Sequence, residues 1–176
     1  MKKLIITALL TAFSTVTFAD HAIVTINGKK ITVQDTQSSL INKLGKPISG
    51  SEKYSNWVIN KLYIYAEYSP YGLNELNIIK LNTETVTVNL DGKTITLGKD
   101  SIRSAASKVK HGCYNLDEGE VGSVYSYIIR SGAEGEYDVA FDTESDATDL
   151  KTITNQPITG LRIGYEGFNA NKGCTQ

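Results

Sequence analysis

Apolar and polar residues alternate from Ala22 to Val33 on either side of Asn27-Gly28, and again from Thr85 to Leu97 on either side of Asp91-Gly92. A period of two marks a half-buried strand, and Asn-Gly or Asp-Gly supplies the two positive-φ positions of a type I′ turn, so each stretch predicts a β-hairpin. Behind each hairpin the period lengthens to that of a helix. Asp35 or Thr36 caps a predicted helix to about Leu44 with Leu40, Ile41 and Leu44 on one face, ended by Gly45 and Pro47. Asp100 caps a second to about Val109, with Ile102, Ala105, Ala106 and Val109 as its stripe and Gly112 behind it. After a polar loop from Ile48 to Lys53, strands are predicted at Tyr54 to Ile59, Leu62 to Tyr68 and Leu76 to Leu81, with a turn at Ser69 to Gly72. The second half predicts strands at Gly122 to Arg130, Glu136 to Phe141 and Ile158 to Tyr165, a Gly-rich turn from Ser131 to Gly135 and an acidic loop from Asp142 to Asp149.

The expected fold is therefore α+β. Two tandem modules, 20–83 and 84–176, each carry a hairpin, one helix and an antiparallel meander, with the helix on one sheet face. Ile26-Asn27-Gly28-Lys29-Lys30-Ile31-Thr32-Val33 and Leu90-Asp91-Gly92-Lys93-Thr94-Ile95-Thr96-Leu97 read as the two copies of a duplication, and Tyr63-Ile64-Tyr65 and Tyr125-Ser126-Tyr127 as a later trace of it.

Residues 1–19 follow neither period. Lys2 and Lys3, the apolar run Leu4 to Phe13 and the small-x-small Thr17-Phe18-Ala19 read as an export signal, with the mature chain starting at Asp20. The apolar run is shorter than the roughly 20 residues that span a bilayer, and no cysteine stands at the cleavage point for lipid attachment. The expected address is the periplasm of a Gram-negative bacterium, without membrane insertion after cleavage. Eighteen basic and 19 acidic side chains give the whole chain a net charge of −1, and loss of Lys2 and Lys3 makes it more acidic. Without a clustered basic face, nucleic acid is not an expected partner.

In an oxidising compartment the only two cysteines, Cys113 and Cys174, are expected to form a disulfide between the end of the second helix and the C-terminus. Closing that loop is worth about 4 kcal/mol on the chain-entropy model. A zinc site needs three or four ligands, and beyond these thiols only His21 and His111 are available. Histidine-activated nucleophilic catalysis has little to draw on, since His21 stands at the mature N-terminus and His111 at a helix end, where it favours the helix dipole. No pair of carboxylates is singled out for glycosidase chemistry. The carboxylates at alternate positions of 142–149 resemble the start of a calcium loop, but Ala147 and Ile153 stand where its glycine and glutamate belong. No catalytic residue, metal or cofactor is expected.

The aromatic residues are the informative ones. Tyr54, Trp57, Tyr63, Tyr65, Tyr68 and Tyr71 crowd one segment, and Tyr125 and Tyr127 repeat the spacing. Tyr63 and Tyr65 share a strand face opposite Leu62 and Ile64; with the helix over the aliphatic face, the tyrosines line the open one, a composition that protein-binding surfaces favour. The expected partner surface is Tyr63, Tyr65, Tyr68, Tyr125 and Tyr127, joined by Asp142, Glu144 and Asp146, whose carboxylates suit a basic active-site rim. Trp57 fits the core as well as the surface.

Lys30-Ile31-Thr32-Val33-Gln34-Asp35-Thr36 followed by Leu40-Ile41-Asn42-Lys43-Leu44-Gly45-Lys46-Pro47 resembles the helix and Leu-Gly-x-Pro ending of the small outer-envelope SmpA/BamE-like domains. Tandem copies of that unit make up inhibitors of the β-lactamase-inhibitor-protein type, and signal-bearing immunity proteins of type VI secretion effectors are similar in outline. The second half departs from the motif, with Lys110-His111-Gly112-Cys113 in its place. The resemblance implies a protein that is not an enzyme and that neutralises a cognate toxic effector by occluding its active site. The alternative it implies is an envelope assembly or structural module.

Overall fold

The computed structural model describes residues 22–81, 85–119, 122–131, 137–145, 147 and 149–165. The expected export signal, the module boundary at 83/84, Asp146 and Cys174 lie outside the described residues.

Strands β1 (Ile23–Ile26) and β2 (Lys29–Ile31) form the first hairpin, and β7 (Val86–Leu90) and β8 (Lys93–Thr96) the second. Both turns are left-handed, with Asn27 and Gly28 at φ 48° and 78° and Asp91 and Gly92 at 50° and 69°. Helix α1 (Gln37–Leu44) follows β2, and α2 (Ile102–Lys108) follows β8. Their caps are Thr36 and Ser101, whose hydroxyls accept the amides of Ser39 and Ser104.

Asp35 and Asp100, each one residue before its cap, hold the same network twice. The Asp35 carboxylate accepts from the Thr32 amide (2.8 Å), from the Ser39 hydroxyl and from Lys43 Nζ (2.5 and 2.7 Å). The Asp100 carboxylate accepts from the Thr96 amide (2.7 Å), the Ser104 hydroxyl (2.6 Å) and Lys108 Nζ (2.8 Å to each oxygen). Burial works to raise both carboxyls, but the lysine, serine and amide donors outweigh it and hold both below the ordinary aspartate value. A carboxyl depressed in the fold contributes stability above its unfolded value, and that contribution disappears as pH falls through the folded value. Thermal midpoints should therefore drop steeply below about pH 4. An Asp35→Asn/Asp100→Asn chain should be less stable than the parent at pH 7 and lose less on acidification; parallel acid profiles would refute this. Melting curves between pH 2.5 and 7 provide the measurement.

The remaining strands are β3 (Ser49–Gly50), β4 (Tyr54–Ile59), β5 (Leu62–Ser69), β6 (Gly72–Lys80), β9 (Cys113–Gly119), β10 (Gly122–Ser131), β11 (Tyr137–Ser145) and β12 (Gly160–Gly164), with α3 (Leu150–Asn155) between the last two. The fold is α+β with two antiparallel sheets. One has the order β2-β1-β7-β8, the other β3-β4-β5-β6-β12-β11-β10-β9. The halves meet symmetrically: the first strand of each, β1 and β7, pairs antiparallel, and so does the last of each, β6 and β12. Each hairpin thus completes a sheet begun by the other half.

The two sheets enclose one hydrophobic cluster that includes Val24, Ile26, Val86 and Val88 from the small sheet and Leu76, Ile78, Leu161 and Ile163 from the large. Backbone bonds stitch the layers at matching places: Leu73 N–H donates to Val33 O (2.8 Å) and Gly98 N–H to Ile158 O (2.7 Å). At the first stitch Gly72 sits at φ 133°, and a Cβ there would come 2.4 Å from Val33 O, so only glycine fits.

Four expectations change, the first being that Ser101 and not Asp100 caps α2. The loop 48–53 contains the short strand β3; the stretch 142–149 is strand to Ser145, and Asp149 caps α3; and Cys113 opens β9 rather than closing α2.

Candidate functional site

The large sheet has an inner face, covered by the small sheet and helices, and an outer face. The alternation of β5 fixes which is which: Leu62, Ile64 and Ala66 are buried, whereas Tyr63 is 44% exposed and Tyr65 half-buried. Ladder partners carry this assignment across the sheet as rows. One outer row runs Val58, Tyr63, Ile79, Gly160, Asp142, Ser126. The next runs Asn56, Tyr65, Asn77, Arg162, Ala140, Ile128, Cys113, and a third Tyr54, Glu67, Glu75, Gly164, Asp138, Arg130.

Only two of the five expected surface tyrosines therefore belong to the open face. Tyr125 and Tyr127 alternate with outward Ser126 and Ile128, so they point inward and are 6% and 2% exposed. The Tyr127 hydroxyl donates to Val109 O and accepts the Gly112 amide (2.9 Å), binding β10 to the chain that leaves α2. The spacing is the same as in β5, but the register is one residue out of step, which reverses the face. Nor are the strands equivalent: β5 is the third strand after α1 and β10 the second after α2. Tyr68 is lost for another reason. Along β5 Tyr68 follows Leu62, Ile64 and Ala66 onto the inner side, where it packs against the core with its hydroxyl buried, and the bulge opposite it only shifts the pairing with β6.

Asp142 and Glu144 do lie on the outer face, on β11. Asp142 is 8% exposed, and Arg162 from β12 grips it with two parallel bonds, Nε to Oδ2 at 2.7 Å and Nη2 to Oδ1 at 3.0 Å, while Ser126 Oγ donates to Oδ1 at 2.5 Å. Glu144 is exposed, and among the described residues no cation pairs with it. Over β10 and β11 the outer-face residues Ile128 and Ala140 are buried, so the open part of the face is β4, β5, β6 and β12 with the Glu144 end of β11.

Sequence reasoning did not single out the aliphatic members of this surface, Ile48, Val58 and Ile79, all more than a third exposed. The signal was available, since Val58 and Ile79 break the alternation of strands that otherwise place polar residues outward. They line, with Tyr63 and Tyr65, a depression of about 290 Å³. A second, of about 240 Å³, lies between Asp142, Glu144, Thr159 and Arg162. At the other margin Glu67 and Glu75 stand directly opposite each other. Glu67 accepts from Tyr65 (3.2 Å) and Asn74 (3.1 Å). Burial and then the Glu67 charge push the Glu75 carboxyl up, with Arg162 opposing.

His111 pairs with Asp91 of the second hairpin turn at 3.3 Å rather than serving α2. Cys113 lies on the outer row beside Ile128; its expected partner Cys174 is outside the described residues. Among the described residues no group of three or more histidine, cysteine or carboxylate side chains could hold a metal, and no helix is long and apolar enough to cross a membrane. No family model matches the chain, and neither a curated protein nor a solved structure matches it.

Proposed function

We propose that this chain is a periplasmic protein-binding inhibitor, an immunity protein that neutralises an envelope-targeting effector by covering its active site. The observation that supports this reading is the exposed set Val58, Tyr63 and Ile79, side by side across three strands of a rigid sheet. Apolar and aromatic side chains held on paired strands lose little freedom on binding, and a patch of this kind rimmed by polar groups is what partner surfaces favour. The carboxylates Glu67, Glu75 and Glu144 around it suit a partner with a basic rim. Occlusion asks no chemistry of the inhibitor.

An immunity gene is expected to stand beside that of its toxin, so the test is affinity for, and protection against, the product of the neighbouring gene. Tyr63→Ala should weaken binding by about 2 kcal/mol, roughly 30-fold, if Tyr63 is an anchor, with the circular dichroism spectrum unchanged. Unaltered affinity would remove this face from the site, and failure of the parent chain to protect cells that export that product would end the proposal. Tyr125 and Tyr127 are unsuitable probes, because their loss would disturb the core.

A further inference from the structure

We infer that the open face receives a protruding protein loop of about four to six residues that carries a lysine or arginine close to an apolar side chain, the cation meeting Glu144 and the apolar group resting on Tyr63 and Ile79. This rests on the reading of that face as a protein-binding surface.

The two depressions adjoin at Asn77 and Ile79, and together they make a trench-like line of low surface from β4 across to β11. Its floor is continuous because Gly160, between Ile79 and Asp142 in the row, carries no side chain; a Cβ there would stand 3.0 Å from Asp142 Cβ. The trench crosses four strand-to-strand spacings of about 4.8 Å, or roughly 19 Å. That length suits four to six extended residues at about 3.4 Å each.

The ends of the trench differ in chemistry. At one end Val58, Tyr63 and Ile79 offer apolar contact. At the other, the charges of Asp142 and Arg162 cancel through their paired bonds, which leaves Glu144 as the net charge. Glu144 lies two strands from Ile79 and two residues further along, about 12 Å by strand geometry. An incoming cation would therefore sit two to four residues from the apolar anchor, once the reach of its own side chain is included.

A library of disulfide-closed nine-residue peptides displayed on phage, selected on the full chain, supplies the probe. Enriched peptides should carry Lys or Arg two to four residues from an aromatic or aliphatic residue. A synthetic representative should bind about 10-fold more weakly to Glu144→Gln, a loss that shrinks at high salt, and should also lose affinity for Tyr63→Ala. Peptides that depend on Tyr63 but show no basic preference, or that bind Glu144→Gln as well as the parent, overturn this inference and leave the protein-binding face intact. Peptides indifferent to Tyr63→Ala, or no enrichment at all, overturn the reading on which it rests.

Discussion

Trp57→Ala is expected to destabilise the protein by about 3–5 kcal/mol, the cost of emptying a large aromatic site in a close-packed core. Trp57 is 2% exposed on the inner side of β4, and its indole Nε1 donates to Gly45 O, the carbonyl at the end of α1, at 2.8 Å. Tyr127 does the same in the second half, from β10 to Val109 O at the end of α2. Both residues stand on the second strand after their helix. One aromatic per half therefore fixes where a helix ends relative to the sheet beneath it, by area and by one directed bond. Trp57→Phe keeps most of the area and loses the bond, so it should cost about 1–2 kcal/mol. Tyr63→Ala, on the opposite face, should stay within about 0.5 kcal/mol of the parent. Urea unfolding of the three variants gives the comparison. A Trp57→Ala loss below about 1 kcal/mol, or one no larger than that of Tyr63→Ala, would show that the core tolerates the gap and that the faces are misassigned.

That pairing of Trp57 with Tyr127 explains what the sequence disclosed and what it hid. Hairpins and helices were legible because their signals are local: a two-residue turn, a hydroxyl before a helix, a glycine or proline after it. The Tyr-x-Tyr comparison failed because it matched spacing and offset rather than the order of the strands. Cys113-Tyr114-Asn115-Leu116-Asp117-Glu118-Gly119 contains no β-branched residue, so β9 gave no strand signal. Tyr125-Ser126-Tyr127 lies on the strand that corresponds to β4, the second after its helix, whereas Tyr63-Ile64-Tyr65 lies on β5, the third. Spacing showed that two tyrosines share a face, but the choice of face lies in register. The Asp142 to Ser145 stretch read as loop for a different reason. Its charge looked unburiable, and the arginine that neutralises it comes from another strand twenty residues on. The union of the hairpins in one sheet depends on β1 meeting β7, a contact between halves that no local pattern announces.

Arg162 yields the second large effect. Arg162→Met should cost about 3–5 kcal/mol, because it leaves the nearly buried Asp142 carboxylate without its cation. Most of that cost is the stranded charge rather than the worth of the pair, so removing the charge as well should recover much of it. Asp142→Asn keeps the shape that Gly160 accommodates, where the Asp142 side chain packs close to the glycine, and an amide can still bond Ser126. The double variant Asp142→Asn/Arg162→Met should then be more stable than Arg162→Met alone, with a coupling energy of about 1.5–3 kcal/mol from the four-member cycle. Additive losses would mean that Arg162 acts by packing its aliphatic stem over Ala140 and Asn77, its neighbours in the row. Because Asp142 and Arg162 neutralise each other, they serve the partner face as a wall with no net charge. Partner affinity should consequently respond to Glu144→Gln more than to the charge-cancelled double variant, once both are compared at temperatures where they are fully folded.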